Sequence, residues 1–396
     1  MSQSKTVYLD NNATTQVAPE VLEAMIPFLR EHWGNPSSIY RFGKQVSKHI
    51  DESREKVAAL INAEPREIVF TSCGTESNNA ALHSAVFGHS QKRHILTTAV
   101  EHSAIINYCK SLQKEHCEVT FLPVEPDGGL DLHLLEKSIR PETAVVSVMW
   151  ANNETGVLFP IEEIAAICHS KGALFHTDAV QTPGKMKIDV KDLDVDMLSL
   201  SAHKLHAPKG IGLLYVKRKT KFHPYVVGGH QEHGRRGGTE NVANIVAFGR
   251  AAELASAHLK EENTRVRAMR DRLEAGILGG IHGTVRNGAR DPRLPNTSNL
   301  SFDGVEAEGI LLLLDQLGIC VSSGSACTSG SLDPSHVLTA MGCSIPRARG
   351  SVRFSLGIYN TEGDVDFVLQ KLPPIIADLR SNATGGKHSG RRIVHA

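Results

Sequence analysis

Short β-branched runs alternate with amphipathic stretches from residue 67 onward, and this alternation constrains the fold more than any other feature of the chain. The runs are 67–71 (EIVFT), 94–98, 118–122, 143–149, 173–177 and 197–201, with a further one at 213–216 after the turn Gly210-Ile211-Gly212. Strands separated by helical segments such as 161–170, entered after Pro160, read as the units of a mainly parallel sheet covered by helices. With 396 residues the chain is too long for one small core and suits two domains. A large domain is expected over 16–260. The segment 251–279 carries apolar residues at helical spacing with interleaved charges and reads as a long helix that can bridge two domains. Beyond it, 299–302, 306–317, 319–321 and 351–356 suggest a smaller α/β unit. The stretch 381–396, polar, Gly-containing and basic, reads as a disordered tail.

Lys plus Arg and Asp plus Glu both total 43, so no net field favours nucleic acid or an anionic membrane. The strongest apolar run, 310–314, is far short of the ~18 residues of a membrane span, and the first residues show no basic segment followed by an apolar core. A cytoplasmic protein is the expectation. Seven scattered cysteines without a CxxC pair point to reduced thiols.

Three segments carry candidate chemistry. In Phe70-Thr71-Ser72-Cys73-Gly74-Thr75-Glu76-Ser77 a strand runs into small residues and then a helix, an arrangement whose backbone amides can hold a phosphate; the same pattern also starts helices that bind nothing. Lys204, in Ser201-Ala202-His203-Lys204, follows a strand, where open α/β sheets place ligands, and a lysine there can form a Schiff base. Asp178 ends another strand and can keep a pyridine nitrogen protonated, or simply cap a helix. Gln181, three residues on, can hydrogen-bond a ring hydroxyl.

The motifs YLDNNATT, GNPSS, TSCGTESNN, EHSA, VMWANNETG, HTDAVQ, SAHKLHAPKG, GRRGGTEN, SSGSACTSG and RFSLG occur in that order from Tyr8 to about Asn360. Together they resemble the cysteine desulfurases of the NifS/IscS class. The resemblance implies an α/β fold of the aspartate-aminotransferase type (fold type I), with a large mainly parallel-sheet domain and a smaller α/β domain built from both ends, 1–15 and 261–380. It implies pyridoxal 5'-phosphate as cofactor, with Lys204 as the lysine that carries it and His102 over its ring. Asp178 would pair with the ring nitrogen, Asn153 and Gln181 would contact the hydroxyl side, and Gly74, Thr75, Ser201 and His203 would hold the phosphate. Thr239 resembles a residue that reaches the phosphate of the other subunit, so a homodimer is implied. Arg353 and Asn35 look like the clamp for the substrate carboxylate, which suits a guanidinium fork.

Cys327 lies in the run Ser322 to Ser331, which has no apolar residue able to anchor it and reads as an exposed loop. By resemblance it is the sulfur acceptor: Lys204 would remove the α proton of L-cysteine, Cys327 would attack the substrate sulfur as thiolate, and alanine and a persulfide would result. His102 would serve proton transfer. The persulfide would pass to a scaffold protein that builds iron–sulfur clusters. Cys109, Cys117, Cys168 and Cys320 read as packing. No intrinsic metal site is expected, since the pairs His203/His206 and His230/His233 lack partners, although Cys327 could ligate a cluster transiently in a scaffold complex. An aminotransferase or a selenocysteine lyase would share Lys204 and Asp178 without needing Cys327. Two departures stand out: Ala207 stands where the family usually has Gly, and the C-terminal tail does not resemble the docking end of housekeeping members, so a nitrogenase-directed role is as open as a general one.

Overall fold

The computed structural model describes residues 6–88, 92–323 and 333–385. A seven-stranded sheet runs in the order Ile68–Thr71, Gly212–Val216, Met197–Ser201, Leu174–Asp178, Thr143–Ser147, His94–Thr98, Glu118–Leu122. Six strands are parallel, and Gly212–Val216 runs antiparallel to both of its neighbours. The central strands are buried throughout, as a sheet covered on both faces requires. Successive residues feed opposite cores: Leu198, Leu200 and Leu213 pack with Phe175 on one face, while Met197 and Leu214 pack with Val145 and Ala81 on the other.

A second, separate core gathers Leu9, Met269, Leu273, Ile310, Phe354 and Val368. It lies on an antiparallel sheet ordered Ser322–Ser323, Ser351–Ser355, Thr297–Phe302, Thr284–Arg286, flanked by the helices Arg267–Gly280 and Glu362–Gly385. The strand Val7–Tyr8 pairs in parallel with Ile319–Cys320, so the chain's early residues join this core.

The two cores share one long helical element. Val242–Glu261 contributes Ile245, Phe248 and Ala252 to the first core, a π turn follows at Glu262–Val266, and Arg267–Gly280 packs in the second. The helix starts earlier than the expected residue 251, because Asn241 caps it through Asn244 N and the first turns are buried without the interleaved charges that mark an amphipathic face. The expectation of a tail from residue 381 needs a similar correction. The last helix continues to Gly385, since Arg380 donates to the carbonyls of Asp303 and His282 and so holds its end against the second core; residues 386–396 lie outside the described residues.

Among the described residues, no helix is long and apolar enough to cross a membrane, and no group of three or more His, Cys, Asp or Glu side chains is placed to hold a metal ion.

Candidate active site

At the carboxyl ends of the parallel strands lies a cavity of about 300 Å³. Each wall follows from local chain geometry. Strand Leu174–Asp178 delivers Asp178, strand Met197–Ser201 delivers Ser201 and the turn with His203 and Lys204, and the strand Ile68–Thr71 leads into the helix Gly74–Phe87. The structure brings Gly74, Thr75, His102, Asn153, Asp178, Gln181, Ser201, His203, Lys204 and Arg353 to this one cavity.

The helix start is open. Cys73 occupies the cap position in extended conformation without a side-chain hydrogen bond to the first turn, so the leading amides face the cavity rim unassisted. A Cβ on Gly74 would stand 2.9 Å from Val180 Cγ2, so glycine alone fits this approach. Glu76, in the same first turn, takes Ser72 N at 2.8 Å and Arg236 Nε at 2.9 Å. Its burial alone would raise the carboxyl pKa, but the Arg236 and Ser72 hydrogen bonds outweigh that and leave it lowered. Glu76 is thereby spent on protein partners.

Asp178 is buried, with Oδ2 accepting from Asn78 Nδ2 at 2.6 Å and Oδ1 from Val180 N at 3.0 Å. Lys204 Nζ donates to the carbonyls of Asn12 and Ala13, the latter at 2.7 Å. These carbonyls come from a segment that crosses between the two cores and is pinned by Asn11 N to Ser355 O and Thr15 N to His203 O, both 3.1 Å. Gln181 Nε2 also donates to Asn12 O at 3.0 Å, whereas its Oε1 is buried without a partner, as is Asn78 Oδ1. His203 bonds Thr14 Oγ1 at 3.1 Å, and burial, then the charge of Lys204, pulls its pKa down to about 3, so its ring is neutral. His102 caps the helix Ser103–Lys114: its Nδ1 accepts Ala104 N at 3.1 Å, an assignment that puts the neutral ring's proton on Nε2.

Arg353 projects from strand Ser351–Ser355 and is fully buried, with Nη1 donating to Asn153 O at 2.9 Å and Nη2 to Asp10 Oδ1 at 2.7 Å. One N–H on each terminal nitrogen is left for a ligand.

Pyridoxal phosphate fits this donor set on the structure's own terms. The open helix start with its tight Gly74 approach suits a dianion, and the buried carboxylate of Asp178 suits a ring nitrogen. The two unpartnered amide oxygens of Gln181 and Asn78 are acceptors that a bound polar ring would supply with donors.

Not every expected residue arrives. Asn35 sits exposed on a turn where its Oδ1 accepts Ser37 N at 2.9 Å, a local use that leaves it outside the cavity. Thr239 lines a neighbouring cavity of about 180 Å³ together with Thr71, Ser72 and Arg236, none of which lines the first cavity. Cys327 lies outside the described residues. Ala207 replaces glycine without strain, because the left-handed position in that turn falls on His206, at φ 61°. Cys109, Cys117 and Cys168 are buried, and burial pushes the Cys109 thiol up to about 12, an inert setting. Cys320, expected in the core, is only part-buried, since its short strand lies at the edge of a two-stranded pair.

Several residues of the site were not foreseen. Asn12 and Ala13 act through backbone carbonyls, and Asp10 acts through a partner distant in sequence. Glu101, next to His102, is wholly buried: its Oε1 accepts Thr98 Oγ1 at 2.8 Å and Met149 N at 2.9 Å, and its Oε2 has no partner. The adjacency of Glu101 and His102 was the only available signal. The residues following Cys327's run also return here, with Ser335 Oγ donating to Glu154 Oε2 and His336 Nε2 bonded to Glu101 O at 2.9 Å.

Known proteins carry the same plan. A family model described as aminotransferase class-V matches residues 7–368. A protein named cysteine desulfurase 2 from Trichormus variabilis is 56% identical over 375 residues, 95% of this chain and 94% of the relative. The cysteine desulfurase NifS of Azotobacter vinelandii is 52% identical over 376 residues, 95% of this chain and 94% of the relative. Among solved structures, a NifS-like protein superposes with a TM-score of 0.89 at 39% identity, covering 95% of this chain and 100% of that one. A structure described as SspA in complex with cysteine gives a TM-score of 0.80 at 36% identity, over 90% of this chain and 100% of that one. With a model matched from the first described strand into the last helix and relatives more than half identical, the chain belongs to the aminotransferase class-V family.

Proposed function

We propose that this protein is a pyridoxal-phosphate-dependent cysteine desulfurase that converts L-cysteine to L-alanine and leaves the sulfur as a persulfide on Cys327. The observation that carries the reading is the gathering of Lys204, Asp178, His102 and Arg353 around one cavity in a chain whose relatives at 50–56% identity are named cysteine desulfurases.

The cofactor, when bound, serves as the sink for the electron pair left on the substrate's α carbon. Arg353 offers the remaining N–H of each terminal nitrogen to the substrate carboxylate, a paired geometry that fixes the amino acid's orientation. Asp178, kept in place by Asn78 and the Val180 amide, would supply a compensating negative charge to the ring nitrogen of the bound group. Lys204 Nζ accepts the α proton. The thiolate of Cys327 attacks the substrate Sγ, the C–S bond breaks as the S–S bond forms with its electron pair left on the carbon side, and two protons complete alanine, one delivered to Cβ and the one held by Lys204 returned to Cα. His102 Nε2 carries a proton for the substrate or product side of this exchange.

In this reading Gly74, Thr75, Ser201 and His203 hold the phosphate, and Asn153 and Gln181 stand on the hydroxyl side. The chain acts as a homodimer in which Thr239, whose own-subunit position lies away from the cavity, serves the partner's phosphate, and Asn35 joins Arg353 at the substrate carboxylate on loading. Two separate cores support a division into a cofactor domain, 16–260, and a second unit of 1–15 with 261–380. The sulfur goes to a scaffold protein for iron–sulfur cluster assembly in the cytoplasm.

Mass spectrometry of the cofactor-loaded protein after incubation with L-cysteine tests the reading. One added sulfur on the peptide that contains Cys327 is expected, and Cys327→Ser should lose it while keeping the cofactor's visible absorbance. Sulfur on another cysteine, or full sulfide release by the variant, would overturn it.

A further inference from the structure

Behind Lys204 lies a second cavity, of about 210 Å³, that none of the chemistry above uses. It is bounded by the end of helix Val242–Glu261 and its π turn, by the loop Pro183 to Lys185, and by the segment Leu356 to Tyr359 from the other core. Lys204 forms part of the wall of both cavities.

Two charged side chains of this cavity are almost fully withdrawn from solvent: Lys185 is 5% exposed and Glu262 is 6% exposed. They do not satisfy each other, for no ion pair within 4.0 Å joins them. Lys185 Nζ has one acceptor, Gln181 O at 3.2 Å, out of the three an ammonium can use, and Glu262 Oε2 has no hydrogen-bond partner. Burial raises the Glu262 carboxyl pKa to about 7 and lowers that of Lys185, and in each the charge of the other opposes the shift without cancelling it. The neighbouring Glu261 is already taken by Arg265 at 2.8 Å and His258 at 2.9 Å, so it does not supply the missing contact.

The setting is built rather than incidental. Glu262 opens the π turn Glu262–Val266, an irregularity that recurs at functional sites. Asn263, the next residue, donates to Lys185 O at 2.9 Å and so fixes the loop that carries the lysine relative to the turn that carries the acid. Gly184 takes φ +73° there, and a Cβ on it would lie 3.2 Å from Ala255 Cβ.

An isolated buried charge is costly, and one partly paired group of each sign in the wall of one cavity calls for an occupant with both signs. A cation answers only Glu262 and an anion only Lys185. At about 30 Å³ per water the volume corresponds to roughly seven waters, which is room for a small organic molecule. We propose that this cavity is a binding site for a small zwitterionic amino acid, with its ammonium on Glu262 and its carboxylate on Lys185.

The probe is N,N-dimethylglycine, a zwitterion whose tertiary amine cannot condense with the cofactor's aldehyde. Isothermal titration calorimetry of the cofactor-loaded protein should show saturable binding that leaves the visible spectrum in place. Glu262→Gln and Lys185→Met should each weaken it at least about tenfold, and Arg353→Ala, which alters the first cavity, should not. Absence of saturable binding to the unaltered protein, equal affinity in both charge variants, or loss of binding in Arg353→Ala would each overturn the proposal. Should a charge variant fail to fold, Ala255→Leu fills the cavity without changing charge and must abolish binding; retained binding there is equally decisive against it. The expected result does not depend on desulfurase activity, so the two readings fail separately.

Discussion

Arg353 and Asp10, 343 residues apart, meet with Nη2 2.7 Å from Oδ1, and Asn153 O takes the other terminal nitrogen at 2.9 Å. The guanidinium is thus oriented by both cores before any ligand arrives. Part of what a substrate carboxylate would otherwise spend on ordering a flexible cation is already settled.

A lysine in place of Arg353 has the charge but not the fork. It cannot serve Asp10, the Asn153 carbonyl and a ligand carboxylate in one plane. Arg353→Lys is expected to raise KM for L-cysteine by about 10- to 100-fold, the equivalent of losing one charge-assisted hydrogen bond worth about 1.5–3 kcal/mol. Steady-state alanine formation measures this. A KM within twofold of the unaltered enzyme would show that the substrate is not held by the fork.

Gly74 offers a second measurement, independent of turnover. A methyl group there would stand 2.9 Å from Val180 Cγ2 and 3.4 Å from Ser201 Cβ, so Gly74→Ala must displace the helix start or the strand end beside it. Overpacking of this kind costs about 1–3 kcal/mol. Pyridoxal phosphate affinity, read by absorbance titration of the cofactor-free protein, should fall by about tenfold or more. Unchanged affinity would place the phosphate elsewhere.

Much of this was legible in the sequence because it is local. The strands His94–Thr98, Glu118–Leu122 and Met197–Ser201 coincide with their β-branched runs, and the strand ending in Asp178 is displaced by one residue from its expected bounds. Lys204 and Asp178 could be singled out because each follows such a run, where an open sheet leaves room for a ligand. The pairing of Arg353 with Asp10 could not, since nothing local to either residue encodes a contact across the chain. Asn12 and Ala13 act through carbonyls that every residue possesses, so side-chain chemistry gave no cue. At Asn35 the side chain is used by its own turn, a local contact that the motif did not announce. The cavity behind Lys204 depends on a π turn, and no periodicity distinguishes Glu262 from Glu261 beside it.

Glu101 supplies a pH dependence with a definite sign. Burial, opposed by the Met149 amide and the Thr98 hydroxyl and reinforced by Asp178, raises its carboxyl pKa to about 8. Between an unfolded value near 4.5 and about 8 the folded protein binds the extra proton, so this group's contribution to stability is intact below about 4.5 and is lost as pH rises through about 8. Glu101→Gln keeps the oxygen that accepts from Thr98 and Met149 and cannot ionise. Its melting temperature should match the unaltered protein near pH 4 and exceed it by a margin that grows up to about pH 8 and then levels off. A parallel pair of curves over that range would mean that Glu101 is already ionised at neutral pH.

His102 combines two tasks that substitution can separate. Its Nδ1 caps the helix Ser103–Lys114 by accepting from Ala104 N, and its ring faces the cavity with the proton on Nε2. Asparagine is among the best capping residues and can accept from the same amide through its Oδ1, so His102→Asn should leave the melting temperature within the range of a conservative cap change. It carries no group able to give or take a proton near neutrality. If His102 moves a proton during turnover, kcat should fall by about 10²- to 10⁴-fold, the usual worth of a general acid or base, while cofactor absorbance persists. Alanine formation and thermal unfolding, measured on the same preparation, separate the outcomes: a stable, coloured, fully active variant removes His102 from the proton path and leaves it the cap alone.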